Sequence, residues 1–181
     1  MCLNAEYYHC SAHTLNLTLV HACELPSVRD MIATVKKVTT FLKKSNKKRI
    51  VLKKAFQISG KKDAVLQSLC ETRWVERITA LERFSTNYVV IVRTLMAIGL
   101  WEDRNAKTKS QTLLKAITNS NFIMALFVCM ATTDSFDTLS KNLQTVNKSL
   151  HEAMQEVQVA IDALEEIRSH KSTEHFSRMF Q

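Results

Sequence analysis

The chain contains only two glycines and one proline among its 181 residues. Strand-and-turn proteins consume these residues at hairpins, because tight turns need the positive φ that glycine tolerates or the fixed φ of proline. A chain so poor in both favours long helices joined by short connections. The sequence therefore predicts a mainly α fold, with at most one short strand near the N-terminus, over residues 6–10, where two adjacent tyrosines have strand propensity.

Apolar residues at helical spacing indicate where the helices lie. Helices are predicted from Ala12 to Pro26, which stops or restarts the helix, and over residues 28–42, with a break at Ser45 and Asn46. Further helices are predicted from about residue 50 to Gly60, from Trp74 to Leu100, from Ser110 to Met130, and from Asp134, as a cap, to His170. A polar loop is predicted over residues 99–109. The last helix carries an apolar stripe from Leu139 to Ile167, which is usually an intramolecular packing face and only sometimes a dimer seam.

The composition indicates a single helical unit with a core, since 46% of the residues are hydrophobic. No window holds the roughly 18 uncharged apolar residues that cross a bilayer, so no membrane partner is predicted. The five cysteines are an odd number at irregular spacing. That pattern favours a reducing compartment over a disulfide framework.

Positive charge is concentrated between Arg29 and Lys62, where twelve Lys or Arg residues face one acid, Asp30, for a local net charge of +11. Such a segment neutralises phosphates, serves as a nuclear import signal, or is simply a solvated helix face. Because only Phe41 and Phe56 lie among the lysines, no base-stacking platform for single strands is predicted. The candidate nucleic-acid-binding residues in this segment are Lys43, Lys44, Lys47, Lys48, Arg49, Lys53 and Lys54.

Catalytic motifs are missing from the sequence. Two glycines cannot form a phosphate-binding loop, and neither a Gly-x-Ser-x-Gly nor a His-Glu-x-x-His segment occurs. Cys10 and His13 have the spacing of one zinc-ligand pair, but His21 and Cys23, two apart on a helix, would point to different sides. Core packing of Cys10 and a structural hydrogen bond of His13 are the alternative. No metal or other cofactor is therefore predicted.

Three segments carry motifs that are uncommon in helical proteins. They are Cys10–Leu17 with Cys-x-x-His, Cys70–Arg77 around Thr-Arg-Trp, and Leu139–Gln144 of the form Leu-Ser-x-x-Leu-Gln. In this order they resemble segments of the hAT superfamily of DNA transposases and their domesticated relatives. The resemblance implies that residues 1–24 are the edge of an RNase H-like core. It also implies that residues 25–181 are the all-helical insertion of that fold.

The same resemblance implies a role for Arg73 and Trp74. In the family, the tryptophan of the insertion lies near the active site and helps to handle a flipped base or hairpin end, so that Arg73 would contact phosphate and belong to the nucleic-acid-binding set. The alternative is a buried Trp74 that anchors helices, with Arg73 paired to Glu71 or Glu76. A buried Trp74 is favoured over the DNA-handling role, because the catalytic carboxylates that the family uses are not found in this sequence.

Those carboxylates are two Asp and one Glu that hold two divalent metals in the family. The resemblance places the first two before Cys10, where residues 1–9 contain no aspartate, and the third beyond the insertion. We therefore expect a non-catalytic, domesticated or degenerate fragment, not an enzyme, that acts in the nucleus on DNA or a protein partner. The alternatives are a helical self-association module without a nucleic-acid role, and a residual transposase or nuclease whose carboxylates come from another chain.

Overall fold

The computed structural model describes residues 11–22, 24–60, 66–69, 74–143 and 149–169. Within these ranges the regular structure is helical, which confirms the mainly α prediction; the predicted strand at residues 6–10 lies outside them. The helices of the described ranges are α1 (Ser11–Ala22), α2 (Pro26–Lys43), α3 (Asn46–Ile58), α4 (Trp74–Thr86), α5 (Tyr88–Ile98), α6 (Arg104–Ile117), α7 (Ser120–Leu143) and α8 (Leu150–Ser169).

Three helix boundaries lie where the sequence predicts them. Pro26 occupies the first position of α2, where a missing N–H costs no hydrogen bond. Ser45 has an extended backbone and precedes α3, separating it from α2. Gly60 follows the end of α3 with φ of 68°, a left-handed conformation that glycine adopts without a steric penalty.

The predicted helix from Trp74 to Leu100 is wrong as a single element, because the chain turns at Asn87 between α4 and α5. Asn87 is buried, and its side-chain amide donates a 2.7 Å hydrogen bond to the carbonyl of Arg83. That carbonyl is the one a continuing helix would pair with the backbone of residue 87, so the side chain competes with the helical pattern. The hydroxyl of Tyr88 then donates to the Ile117 carbonyl at 2.9 Å, which ties α5 to α6.

The predicted loop over residues 99–109 and the predicted helix from Ser110 to Met130 are also wrong in their bounds. Asp103 caps α6, so that helix begins at Arg104. It ends at Ile117, and α7 begins at Ser120 after two intervening residues. The Asn119 side chain accepts a hydrogen bond from the backbone N–H of Asn121 at 2.9 Å, which supports the new start.

The predicted start of a helix at Asp134 is wrong, since α7 continues through that position to Leu143. The next helix starts at Leu150 with a capping box. Ser149 Oγ accepts from the backbone N–H of Glu152 at 3.2 Å, and Glu152 Oε2 accepts from the backbone N–H of Ser149 at 2.7 Å. The stripe predicted from Leu139 to Ile167 is thus divided between α7 and α8.

The helices α2 to α7 enclose the main hydrophobic core. Its most completely buried side chains are Met31, Val35, Val38, Leu42, Leu81, Phe84, Val90, Ile91, Leu95, Ile98, Ile117 and Leu126. The N-terminal helix α1 packs on α4 and α7, and its Leu19 joins Ile78 in a smaller cluster. Nothing in this packing tests the predicted domain boundary at residues 24 and 25.

Helix α7 is long and apolar enough, by length and composition, to cross a membrane, with a mean hydropathy of 1.4 in its most apolar window. Every 18-residue window of this helix contains Asp134 and Asp137, so it does not reach the roughly 18 uncharged apolar residues considered in the sequence. Phe122, Leu126 and Phe127 of this helix are buried in the structure. Central helices of helical bundles have the same composition, because they are covered on several sides.

Candidate nucleic-acid interface

The predicted cations lie on the end of α2, on the turn that follows it and on α3. Leu52 and Phe56 of α3 are buried in the core, so the opposite face of this helix points to solvent. Arg49, Lys53 and Lys54 of this helix are exposed. Because α3 has five basic residues and no acidic one, all of its charged side chains are positive.

Four of the predicted cations are held by contacts within the chain, among them Arg49, which donates a 2.9 Å hydrogen bond to Asn46 Oδ1. The ammonium of Lys47 lies 4.5 Å from the centroid of the Trp101 ring, and that of Lys48 lies 3.7 Å from the centroid of the Phe41 ring. Each such cation–π contact contributes about 0.5–1 kcal/mol at an exposed site. Lys43 donates a 2.8 Å hydrogen bond to Ser68 Oγ. These contacts fix the charges in place and leave Lys43 and Lys47 accessible to solvent.

Helix α6 adds a cation that sequence reasoning missed. Burial lowers the pKa of Lys48, and the positive charges of Lys109 and Lys44 lower it further, against the opposing effect of Asp103. Lys44 and Lys109 therefore each lie close enough to Lys48 to repel it, although Lys109 is distant in sequence. The sequence carries a signal for the helix that holds Lys109, namely Asp103 as a capping residue followed by apolar residues at helical spacing, but none for its approach to Lys48.

We call the cations at the end of α2, on α3 and at Lys109 of α6 the basic surface; all are exposed except Lys48, which is half-buried. Its members are Lys43, Lys44, Lys47, Lys48, Arg49, Lys53, Lys54 and Lys109. All seven cations that the sequence predicts in this segment belong to it. The structure brings cations of α3 and α6 together, although these helices are far apart in sequence. Asp103 is an acidic neighbour of Lys48 in this surface.

Asp103 supports the basic surface by starting α6, and its loss has a predictable cost. Its Oδ1 accepts hydrogen bonds from the backbone N–H groups of Asn105 at 3.0 Å and Ala106 at 3.2 Å. We expect Asp103→Ala to lower the free energy of unfolding by about 0.5–2 kcal/mol in urea titrations, because both N–H groups lose their acceptor. Asp103→Asn is the matched control, since asparagine caps equally well. Equal stability of the alanine and asparagine variants would contradict the capping role.

None of the four residues singled out in the family motifs has a described side chain. Cys10 and Arg73 lie outside the described residues. His13 lies in α1 and Trp74 is the first residue of α4, but the described structure does not include their side chains. In the described part of the chain, no group of three or more His, Cys, Asp or Glu residues is placed to hold a metal ion. The prediction that Cys10 and His13 bind no metal, and the two alternative roles of Trp74, stay predictions.

No protein-family model matches this chain, and no curated protein and no solved structure matches it either. The resemblance to hAT transposases therefore rests on the three sequence segments alone. The basic surface, in contrast, is defined by the positions of side chains in the structure.

Proposed function

We propose that this chain is a non-catalytic, transposase-derived nuclear module that binds DNA through the basic surface. The observation that carries the proposal is the meeting of cations from separate helices: the Lys47 ammonium of α3 lies 4.5 Å from the ring of Trp101, just before α6, and Lys48 lies near both Lys44 and Lys109. Charge runs along a single helix are often only solvated faces. Here tertiary packing brings Lys44 and Lys109 close to Lys48 although their positive charges repel it. Such a cluster favours a polyanionic partner, which offsets the repulsion.

The physics of DNA supports this choice of partner. Double-stranded DNA carries one negative charge per about 1.7 Å of its axis, and lysines that neutralise phosphates release condensed counterions. The thirteen residues of α3 extend over about 20 Å, which is long enough to face several phosphates. A bound phosphate also relieves the repulsion among Lys44, Lys48 and Lys109.

The chemistry of the surface favours the sugar-phosphate backbone over the bases. Single-strand binding uses aromatic rings on which bases stack. Near the basic surface, one face of the Trp101 ring is covered by Lys47, and Phe41 is buried beneath Lys48. We therefore propose binding to duplex DNA with little sequence preference, which is the behaviour of backbone contacts made by lysine and arginine.

Fluorescence anisotropy with a labelled duplex, repeated over a range of salt concentrations, tests the proposal. We expect a Kd of about 10⁻⁴–10⁻⁶ M at physiological salt, with log K falling linearly against log salt by about 0.9 for each phosphate contacted. Competition by unrelated duplex sequences should be equally effective. Undetectable binding at low salt, or binding that salt leaves unchanged, would contradict the proposal.

A further inference from the structure

The C-terminal helix α8 presents two different apolar surfaces. One surface packs on α7, where Leu139 and Ala160 are buried and Asn142 Nδ2 donates a hydrogen bond to Glu156 Oε2 at 2.5 Å. The other consists of Met154, Val157 and Ile161, which are between 40% and 64% exposed. Their spacing of three and four residues places them in one row along the helix, as in a coiled-coil seam. We call this row the α8 strip.

Acidic residues border the α8 strip. Helix α8 contains five acidic residues and one arginine, for a net charge of −4. At about 100° per residue, Glu165 and Asp162 lie beside Ile161 on the side away from α7. Both carboxylates are exposed. The occupant of the strip therefore needs apolar side chains accompanied by positive charge.

Helix α3 of the same chain has that combination on its solvent face. Ile50 is 56% exposed and Ile58 is 82% exposed, so this face presents apolar side chains together with positive charge. Around the helix, Ile50 lies between Lys53 and Lys54. With five basic residues and no acidic one, α3 has a net charge of +5, opposite to that of α8.

We infer that the α8 strip of one copy of the chain binds the exposed face of α3 of a second copy. Met154, Val157 and Ile161 would cover the two exposed isoleucines, while Asp162 and Glu165 would face the lysines. Pairing of α8 with another α8 is disfavoured, because it opposes two helices that each carry a net charge of −4. Since every copy has one surface of each kind, association either closes as a reciprocal pair or continues as a chain.

This contact uses the face of α3 that also belongs to the basic surface, so the second copy competes with DNA for Lys53 and Lys54. The inference does not depend on the DNA proposal, because the helix charges and exposed apolar residues carry it. Self-association is accordingly measured without nucleic acid.

A charge exchange tests the contact by sedimentation velocity at low salt. The two variants are Lys53→Glu/Lys54→Glu and Asp162→Lys/Glu165→Lys, with helix content checked by circular dichroism. We expect each variant alone to associate at least about tenfold more weakly than the unmodified chain. An equimolar mixture should regain association, because the reversed α3 of one variant then meets the reversed α8 of the other.

The matched control is Lys107→Glu/Lys115→Glu, which makes the same charge change on α6 and should associate normally. An unmodified chain that stays monomeric at every concentration would overturn the inference. Undiminished association of the Lys53→Glu/Lys54→Glu variant would also overturn it, because it would mean that α8 pairs with α8 or that another surface is used. Failure of the mixture to regain association would show that the two helices do not meet.

Discussion

Replacing Lys109 by glutamate is expected to weaken DNA binding by about tenfold, and to do so as strongly as replacing Lys44. Both lysines lie beside Lys48, where their charges lower its pKa. A glutamate at either position removes one phosphate contact and places a negative charge against the DNA. We therefore also expect the slope of log K against log salt to decrease by about one unit for each variant.

The matched control for this prediction is Lys115→Glu, on the same helix and with the same change in charge. Lys115 is exposed six residues beyond Lys109, about 9 Å further along the axis of α6. There it borders a groove of about 860 Å³ between α2, α6 and α7, which also includes Leu25 and Phe122. Anisotropy titrations of the three variants are to be made at one salt concentration. Equal losses for Lys109→Glu and Lys115→Glu would contradict the basic surface as defined here and indicate only a dependence on net charge.

Truncation of Phe84 to alanine is expected to cost about 3–5 kcal/mol of stability, the range for large aromatic residues in well-packed cores. Phe84 is 1% exposed, and its ring makes an edge-to-face contact with Phe122 at a centroid separation of 6.1 Å. These two rings connect α4 to α7 within the main core. Because domains of this size are stable by only about 5–15 kcal/mol, the variant loses a large share of its stability.

Urea unfolding followed by circular dichroism measures this loss. Met96→Ala is the control, because Met96 lies on α5 and is exposed, and we expect it to change the free energy of unfolding by less than about 0.5 kcal/mol. Phe84→Leu should fall between the two, since it keeps much of the buried volume but loses the ring contact. An alanine variant as stable as Met96→Ala would show that α4 does not pack on α7 as described.

Local chemistry made several features of the fold predictable. Pro26 and Gly60 restrict or release φ at single positions, so their effect on a helix boundary does not depend on distant residues. The start of α8 was predictable in the same way, because Ser149 and Glu152 have capping-box spacing, although the prediction placed the start of the last helix at Asp134. In contrast, α7 passes through Asp134, which shows that packing along the length of that helix outweighs a local capping preference.

The candidate site was predictable in part for a related reason. Lys43 to Lys54 are close in sequence, and any helical arrangement keeps them close in space. Asn87 and Lys109 are different cases. Burial of the Asn87 side chain decides whether it donates to the Arg83 carbonyl. Packing of both α3 and α6 on α2 and α5 decides whether Lys109 comes close to Lys48. Both depend on neighbours that are remote along the chain.

The sequence by itself determined that this chain is helical and that its positive charge is concentrated, because both follow from the kinds of residue present and their short-range order. Only the tertiary structure decided which charges stand together and which apolar residues remain uncovered. It joined Lys109 to the cations of α3, and it divided the apolar stripe into a face buried on α7 and the exposed α8 strip. The physical reason is that repulsion, desolvation and burial act through distance in space, which is established only when the helices pack.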